Sequence, residues 1–199
     1  MNFELLVATN NAHKLKEIRK ILSPFHITVY GMKDLNIDIG EVEENGKTYY
    51  ENALIKATAL QKVTTMPIIA DDSGIEIEAL NNAPGMLSAR YAASFGGYPQ
   101  TFEHIFKELE GKSRRARFVC DIVLVNVEDK PLKFEAVIPG EIVTEVTDDS
   151  DFGYDPIFKE DSLGKTYASM SEEEKNRVSH RGKALKKLLT YLRINGLAH

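Results

Sequence analysis

The chain has 199 residues, of which 43% are hydrophobic and 28% charged, enough apolar material for one domain with a substantial core. Its 30 acidic residues outnumber 25 basic ones, giving a formal net charge of −5, which argues against a general nucleic-acid binder. The single cysteine, Cys120, excludes an intramolecular disulfide, and no apolar run approaches the roughly 20 residues that cross a bilayer. With no basic signal-peptide segment, we expect a cytoplasmic protein with neither a membrane nor a nucleic-acid partner.

The first eighty residues alternate short apolar runs, which are typical of buried strands, with segments whose apolar side chains recur at helical spacing. Thr48 and Glu51 have the spacing of a capping box, which satisfies backbone N–H groups where a helix begins. The elements predicted here are a strand at 3–8, a helix at 14–22, a helix at 49–63, a strand at 67–70, a turn at 71–74 and a strand at 75–80.

The segment at 81–99 is rich in Gly, Pro, Ser and Asn, which predicts a loop. In the next helix, Pro99 is suited to the start and Gly111 to the end. Ser171 and Glu174 form a second candidate capping box, and Ser179 is expected to cap the last helix. The other elements predicted are a strand at 116–127, its hairpin partner at 132–138, an acidic loop at 148–156 and a final helix ending before 196.

These elements predict a mixed α/β fold with long antiparallel strands in the middle of the chain. The sequence pattern shows no boundary between independent domains, so we expect residues 1–199 to form a single domain with two lobes. On composition, the boundary between the lobes is expected within 81–99 or 139–156.

A strand, a turn of small polar residues and a helix open the chain, with Thr9, Asn10 and Asn11 in the turn. Such a helix start presents free N–H groups and the positive end of the helix dipole, which suit a phosphate. Lys14 in the first turn opposes the dipole unless it meets an anion. An ordinary helix cap with a solvated lysine is the simpler interpretation of this segment alone.

Acidic residues precede the second helix at Glu41, Glu43 and Glu44, while Asn52 and Lys56 share one side of that helix. Helix N-termini attract acids in any case, so a solvated acidic face is the simpler interpretation of the three acids. The Asn52–Lys56 pair fits a polar pair facing a phosphate and a plain exposed pair equally well.

Two adjacent carboxylates, Asp71 and Asp72, follow a predicted buried strand and precede Ser73 and Gly74. Adjacent like charges repel, so at least one is expected to have a cationic partner. Magnesium is often held by one or two carboxylates together with phosphate oxygens, and a carboxylate beside it can deprotonate water. The alternative is a tight turn, which favours Asp, Ser and Gly. An aspartyl-phosphate phosphatase would need a second Asp two positions on, where Ser73 and Gly74 stand.

Two further segments carry residues suited to a nucleotide. Phe152, Gly153, Tyr154 and Asp155 place aromatic rings and an acid on one loop, which could stack on a base or serve as packing plugs. Cationic side chains cluster around a predicted helix start at 175–181, where they are favourable only if they face an anion. The members of that cluster singled out here are Lys175, His180 and Arg181.

The order of these segments resembles the inosine triphosphate pyrophosphatase-like enzymes over nearly the whole chain. The matching stretches are ATNNAHKLKEI, ENGKTYYENALIKA, ADDSGIEIEAL, PGMLSARYA, FGYDPIF and EKNRVSHRGKAL. The resemblance implies hydrolysis of non-standard purine nucleoside triphosphates (ITP, dITP and XTP) to the monophosphate and pyrophosphate. It also implies Mg²⁺, an elongated fold with a long twisted mixed sheet and two lobes around a cleft, and a homodimer.

The resemblance also implies residue roles. Glu44 and Asp72 would bind the metal, with Asp72 as general base, although Glu41 and Glu43 are neighbouring choices for the first ligand. Phe152 would stack on the purine, within the substrate loop that ends at Asp155. The remaining substrate-binding residues that it implies are Thr9, Asn10, Asn11, Lys14, Lys56, Ser73, Gly153, Tyr154, Lys175, His180 and Arg181.

This chain departs from the family pattern in two places. Asn10 stands where the opening turn usually has Gly, a position that Asn tolerates better than most residues if the backbone is left-handed. Residues 148–151 are acidic where the family is usually Gly-rich, which puts substrate affinity in doubt more than the reaction type. Two other functions fit the same residues: a pyrophosphatase for modified pyrimidine triphosphates, and a nucleotide-binding module without turnover.

Overall fold

The computed structural model describes residues 2–199 as a mixed α/β protein. Its helices are α1 (Ala12–Leu22), α2 (Tyr49–Gln61), α3 (Ser88–Ser94), α4 (Tyr98–Glu108), α5 (Glu172–Val178) and α6 (His180–Ile194). Its strands are β1 (Phe3–Val7), β2 (Ile27–Gly31), β3 (Ile68–Ile77), β4 (Ala83–Pro84), β5 (Arg115–Val125), β6 (Leu132–Ile142), β7 (Phe158–Glu160) and β8 (Lys165–Thr166). No helix within 2–199 combines the length and the apolar character that a membrane crossing needs.

Eight strands belong to one mixed sheet in the order β2-β1-β3-β5-β6-β7-β8, with the short β4 paired to β3. β1 pairs in parallel with β2, from Phe3 opposite Ile27 to Val7 opposite Gly31, and in parallel with β3. β7 pairs antiparallel with both β6 and β8. β5 and β6 are neighbours, as expected of the predicted hairpin partners.

The chain divides into two compact units. The first comprises residues up to Asp72 together with Cys120–Ala136 and Arg181–His199, and the second comprises Ser73–Val119 and Val137–His180. Chain composition suggested a boundary in the loops at 81–99 or 139–156. The changes of unit instead fall within the strands β3, β5 and β6 and at the start of α6, positions that composition does not mark.

Within the first unit, alternate residues of the strands enter two separate apolar clusters. One cluster packs Leu5, Val7 and Ile69 with α1 and α6, and the other packs Leu6 and Ile68 with α2. A strand directs successive side chains to opposite faces, so two helical layers cover this part of the sheet. The second unit has its own apolar cluster, which includes Phe102, Phe118 and Phe158.

The predicted turn at 71–74 is wrong, because β3 runs unbroken from Ile68 to Ile77. Asp, Ser and Gly favour turns locally, but β3 has neighbouring strands on both sides in the sheet. Tertiary pairing of this kind overrides local preference. Asp71 and Asp72 therefore lie inside a strand, where they must point to opposite faces.

The predicted loop at 81–99 is also wrong in part, because it contains α3 and the start of α4. Pro99 does lie in the first turn of α4, as predicted, and Ser171 with Glu174 forms the predicted capping box of α5. Ser179 adopts an extended conformation between α5 and α6 and lies immediately before the first residue of α6, the position predicted for the cap of the last helix. The strands β2, β7 and β8, which are only two to five residues long, were not predicted.

One buried acid in the first unit is unrelated to the residues singled out above. Asp121 on β5 is only 2% exposed and points to the face covered by α2, like Val123 and Val125. Its Oδ2 lies 3.4 Å from Lys133 Nζ, which also contacts Glu135 Oε2 at 3.0 Å. Burial, reinforced by Glu135 and opposed by Lys133, raises the pKa of Asp121 to about 6.

Asp121 is therefore expected to make unfolding pH-dependent. Because its folded-state pKa lies above the ordinary value of 3.8, its contribution to stability is complete below about pH 4 and is lost as the pH rises to about 6. The Asn of Asp121→Asn does not titrate, so this variant should be more stable than the parent by about 1 kcal/mol at pH 7.5. This figure is reduced from the full effect of the pKa shift, because solvent screens the charges of the half-exposed Lys133 and Glu135. Urea unfolding at pH 4.5 and 7.5 measures this, and an equal difference at both pH values would contradict it.

Candidate active site

The site begins with two adjacent residues of β3 that belong to opposite faces of the sheet. Ile69 belongs to the apolar cluster under α1 and α6, whereas Ile68 and Ala70 belong to the cluster under α2. Continuing this alternation, Asp71 points toward α1 and α6, and Asp72 points toward α2. Each carboxylate is therefore surrounded by a different set of side chains, as their contacts show.

Asp71 is 2% exposed, and its Oδ2 is the centre of a cationic cluster. Lys14 Nζ lies 3.3 Å from this oxygen, and Arg181 donates to it from Nε over 3.1 Å. Burial opposes ionisation, but Lys14, Arg181 and Lys56 together outweigh it and hold the pKa of Asp71 well below its usual range. The cation expected beside the carboxylate pair is thus present, and the lysine in the first turn of α1 does meet an anion.

Arg181 is buried and contacts two acids. Besides Asp71, its NH1 donates to Glu17 Oε2 over 2.6 Å, and the residue is 2% exposed. These two carboxylates raise the pKa of Arg181 further, against the effect of burial. Sequence reasoning missed Glu17, although its position three residues after Lys14 on α1 places it on the same helical face.

Asp72 lies beside α2, which supplies an amide and a lysine. Asn52 Nδ2 donates to Asp72 Oδ2 over 3.4 Å. Lys56 Nζ donates to the backbone oxygen of Asp71 and lies 3.3 Å from Glu44 Oε1. Burial raises the pKa of Asp72 to about 6, and Lys56 and Lys14 oppose this increase.

Of the three acids before α2, the structure brings one into the cluster. Glu44 pairs with Lys56, and its negative charge helps to raise the pKa of Asp72. Glu41 and Glu43 are exposed. This arrangement favours Glu44 among the neighbouring choices that the sequence left open.

The turn before α1 forms an ordinary helix cap, but Lys14 is not the solvated lysine of the simpler interpretation, because it pairs with Asp71. Asn11 caps the helix, because its Oδ1 accepts from the N–H groups of His13 at 3.0 Å and Lys14 at 3.2 Å. Thr9 Oγ1 in turn accepts from Asn11 N–H. Asn10 does not adopt a positive φ, so this turn makes no demand for Gly at that position.

In the second unit, Lys175 links the aromatic loop to α5. Its ammonium lies 2.5 Å from Asp155 Oδ2 and 4.2 Å from the centre of the Phe152 ring. A cation at this distance over an aromatic face is attracted by the electron-rich ring. Lys175 thus holds the half-buried Phe152 and the buried Asp155 in one arrangement.

The other predicted substrate residues of the second unit are mostly packed inside it. Tyr154 is buried and its hydroxyl donates to Ser88 O at 2.6 Å, which is the packing role that the sequence left open. His180 is buried too, stacked on Phe118 with ring centres 4.3 Å apart. Gly153 has φ +59°, a conformation that favours glycine and lets the loop turn between its two aromatic residues.

Glu44 and Asp72, the pair that the family resemblance implies for magnesium, have the donor chemistry that this ion prefers. Both are hard oxygen ligands, and Mg²⁺ commonly takes one or two carboxylates and completes its shell with water and phosphate oxygens. No group of three or more His, Cys, Asp and Glu side chains within 2–199 is arranged as a complete metal cage. The cluster holds three cations and four anions, so an added divalent cation would offset its excess negative charge. Its members are Lys14, Lys56, Arg181, Glu17, Glu44, Asp71 and Asp72.

Known proteins resemble this chain over nearly its full length. The Ham1 family profile matches residues 5–191. A dITP/XTP pyrophosphatase of Clostridium perfringens is 40% identical over 194 residues, covering 93% of this chain and 95% of that protein. A dITP/XTP pyrophosphatase of Escherichia coli K12 is 41% identical over 195 residues, covering 96% and 98%.

Solved structures agree with the sequence comparison. A Ham1 protein from Coxiella burnetii superposes with a TM-score of 0.82 at 38% identity, covering 96% of this chain and 98% of its own. The Staphylococcus aureus Ham1 protein gives a TM-score of 0.82 at 36% identity, covering 96% and 99%. The mixed sheet with its flanking helices is therefore the fold of these proteins. By sequence and by fold, the chain belongs to the Ham1 family.

Proposed function

We propose that this protein is a nucleoside triphosphate pyrophosphatase that hydrolyses dITP, ITP and XTP to the monophosphate and pyrophosphate. The observation that carries the proposal is the cluster in which Asp71, Asp72 and Glu44 meet Lys14 and Lys56. Such a cluster combines the charges that phosphoryl chemistry needs, namely cations for the phosphates and carboxylates for a metal and a water. The names of the relatives, dITP/XTP pyrophosphatase, supply the substrate class.

In this mechanism the lysines of the cluster bind the triphosphate. Lys14 and Lys56 are each only partly exposed and are ion-paired with Asp71 and Glu44, respectively. Their ammonium groups are therefore in place before a phosphate binds. Preorganised charges of this kind stabilise a transition state without the cost of reorienting water. Arg181 neutralises Asp71 from the buried side, which leaves Lys14 free to share its charge with the substrate.

The carboxylates supply the remaining chemistry. Glu44 and Asp72 would hold Mg²⁺, which when bound adds positive charge beside the phosphate oxygens. Asp72 aligns a water and accepts its proton as the water attacks phosphorus at the α–β bridge, and pyrophosphate leaves. Positioning and charge neutralisation therefore provide most of the acceleration.

Phe152 and Lys175 are the residues proposed to select the base. Phe152 offers a ring for stacking, and Lys175 offers ammonium N–H donors that suit the 6-carbonyl of hypoxanthine or xanthine and not the 6-amino group of adenine. Discrimination against guanine needs a further penalty at its 2-amino group. The protein acts as a cytoplasmic homodimer in this proposal, with a small-molecule substrate and no nucleic-acid partner.

The products decide the reaction class. Purified protein with Mg²⁺ and ITP, dITP, XTP, dATP or dGTP should release pyrophosphate rapidly from the first three and slowly from the last two. Both pyrophosphate and orthophosphate are to be quantified. Orthophosphate as the primary product would mean hydrolysis at the γ-phosphate and would overturn the mechanism, while ITP binding without turnover would support a binding module.

Asp72→Asn tests the general base. This variant retains the size of the side chain but loses its basicity, so turnover of ITP should fall by about 10²–10⁴-fold, the usual contribution of general base catalysis. Equilibrium binding of ITP should stay measurable, because Lys14 and Lys56 are unchanged. Turnover within a few-fold of the parent enzyme would exclude the assigned role.

Arg181→Lys separates a positioning role from contact with the base. The guanidinium is engaged by Asp71 and Glu17, and a lysine cannot bridge both with the same planar fork. The variant should therefore lower kcat/KM for ITP and for dATP by a similar factor of about 10, equal to about 1.4 kcal/mol. A changed ratio between the two substrates would instead show that Arg181, which the family resemblance implies is a substrate-binding residue, contacts the base.

A further inference from the structure

Asn52, in the first turn of α2, has a side-chain amide that bonds to two different parts of the cluster. Its Oδ1 accepts from Gly46 N–H at 2.8 Å, and its Nδ2 donates to Asp72 Oδ2 over 3.4 Å. The residue is 5% exposed. One buried side chain thus connects the strand that carries Asp72 with the segment that carries Glu44, two residues before Gly46.

The two bonds fix the orientation of the amide. A backbone N–H can only donate, so the amide oxygen must face Gly46, and the NH₂ group must then face Asp72. A donor in this position is matched to an ionised carboxylate, which accepts hydrogen bonds only. Asn52 therefore orients Asp72 as well as contacting it.

The segment before α2 is built for this close approach. A Cβ at Gly46 would lie 2.6 Å from Asn52 Oδ1 and 2.7 Å from Glu51 Cβ, both shorter than real Cβ contacts. Only glycine brings the backbone of this segment near enough for its N–H to reach the amide.

Formation of α2 does not require the Asn52 side chain. Thr48 already caps the helix, because its Oγ1 accepts from Glu51 N–H at 3.1 Å. An asparagine inside a helix is unfavourable by propensity, and burial of its amide adds a further cost unless both ends are bonded. The bonds to Gly46 and Asp72 thus point to a role in the site.

We propose that Asn52 is a positioning residue that sets Glu44 and Asp72 relative to each other for a divalent cation. The inference rests on the proposed function, in which these two carboxylates hold the metal. Loss of a partner that orients metal ligands typically weakens metal affinity or activity by about 10–100-fold.

Three variants of the full-length protein test this inference. Asn52→Ala removes both hydrogen bonds. Gly46→Ala moves the backbone N–H of residue 46 away from Asn52 Oδ1 while leaving the asparagine itself unchanged. Gln61→Ala is the matched control, because Gln61 ends α2 and donates from its side-chain amide to Asn126 Oδ1 at 2.8 Å, far along the helix from Asn52. Mn²⁺ is the probe, with free Mn²⁺ measured by electron paramagnetic resonance in the absence of nucleotide. ITP turnover is followed over a range of Mg²⁺ concentrations, and thermal unfolding is recorded for each protein.

Asn52→Ala and Gly46→Ala should weaken Mn²⁺ binding by about 10-fold or more, and extra Mg²⁺ should restore part of the lost turnover. Gln61→Ala should match the parent in both measurements. If the parent hydrolyses ITP and binds Mn²⁺ while all three variants bind Mn²⁺ within two-fold of it, the inference fails and the proposed function stands. If the parent neither binds Mn²⁺ nor releases pyrophosphate, the proposed function itself fails. Should Asn52→Ala not fold, Gly46→Ala still decides between these outcomes.

Discussion

The placement of two ionised carboxylates side by side in a buried strand is the constraint on which the rest of this site depends. Asp71 and Asp72 are both buried, and a charge taken out of water is strongly unfavourable unless it is paired. Extended backbone directs them to opposite faces of the sheet, so each makes its own direct contacts, while the charges of Lys14 and Lys56 act on both. The fold must therefore supply contact partners on each face.

The two sets of partners differ in a way that divides the chemistry. Asp71 receives full countercharge from Arg181 and Lys14, which lowers its pKa and makes it a fixed anion. Asp72 accepts a hydrogen bond from the Asn52 amide and has lysines only at longer range, so the effect of burial is only partly offset and the pKa of Asp72 rises to about 6. Adjacent carboxylates with pKa values moved in opposite directions are a common sign of divided roles in catalysis. In the proposed mechanism, the fully paired Asp71 holds the lysines in place, and the less fully paired Asp72 binds the metal and a water.

Local sequence patterns predicted the elements that are stable by their own composition. The strand at β1, the helices α1 and α2, the capping box at Ser171 and the proline in α4 all follow from periodicity and capping residues. The prediction of a turn at 71–74 was wrong because these residues prefer a turn locally but are held extended by the neighbouring strands. The short strands β7 and β8 also escaped prediction, because two or three residues carry no measurable period.

For the site, sequence resemblance named the residues but not their connections. It predicted Lys14, Lys56 and Asp72 as members of one site, and the structure brings all three into one charge cluster. The resemblance did not indicate Glu17, and the residue pattern left the role of Asn52 open, because both side chains act through another residue. A positioning residue leaves no chemical signature of its own in a sequence.

The conflict between local preference and observed structure is greatest where the proposed chemistry lies. A stretch of Asp, Asp, Ser and Gly is a poor strand sequence, and its burial inside β3 has to be offset by the cationic side chains packed on it. Sequences usually agree with their fold at every level, and violations concentrate at functional sites where a less stable choice is retained for its chemistry. Asp121 lies on the same face as Asp72 but is partnered by a half-exposed lysine, and it belongs to no such cluster. A buried acid alone therefore does not mark a site, whereas two buried acids joined to three cations by a continuous set of contacts do.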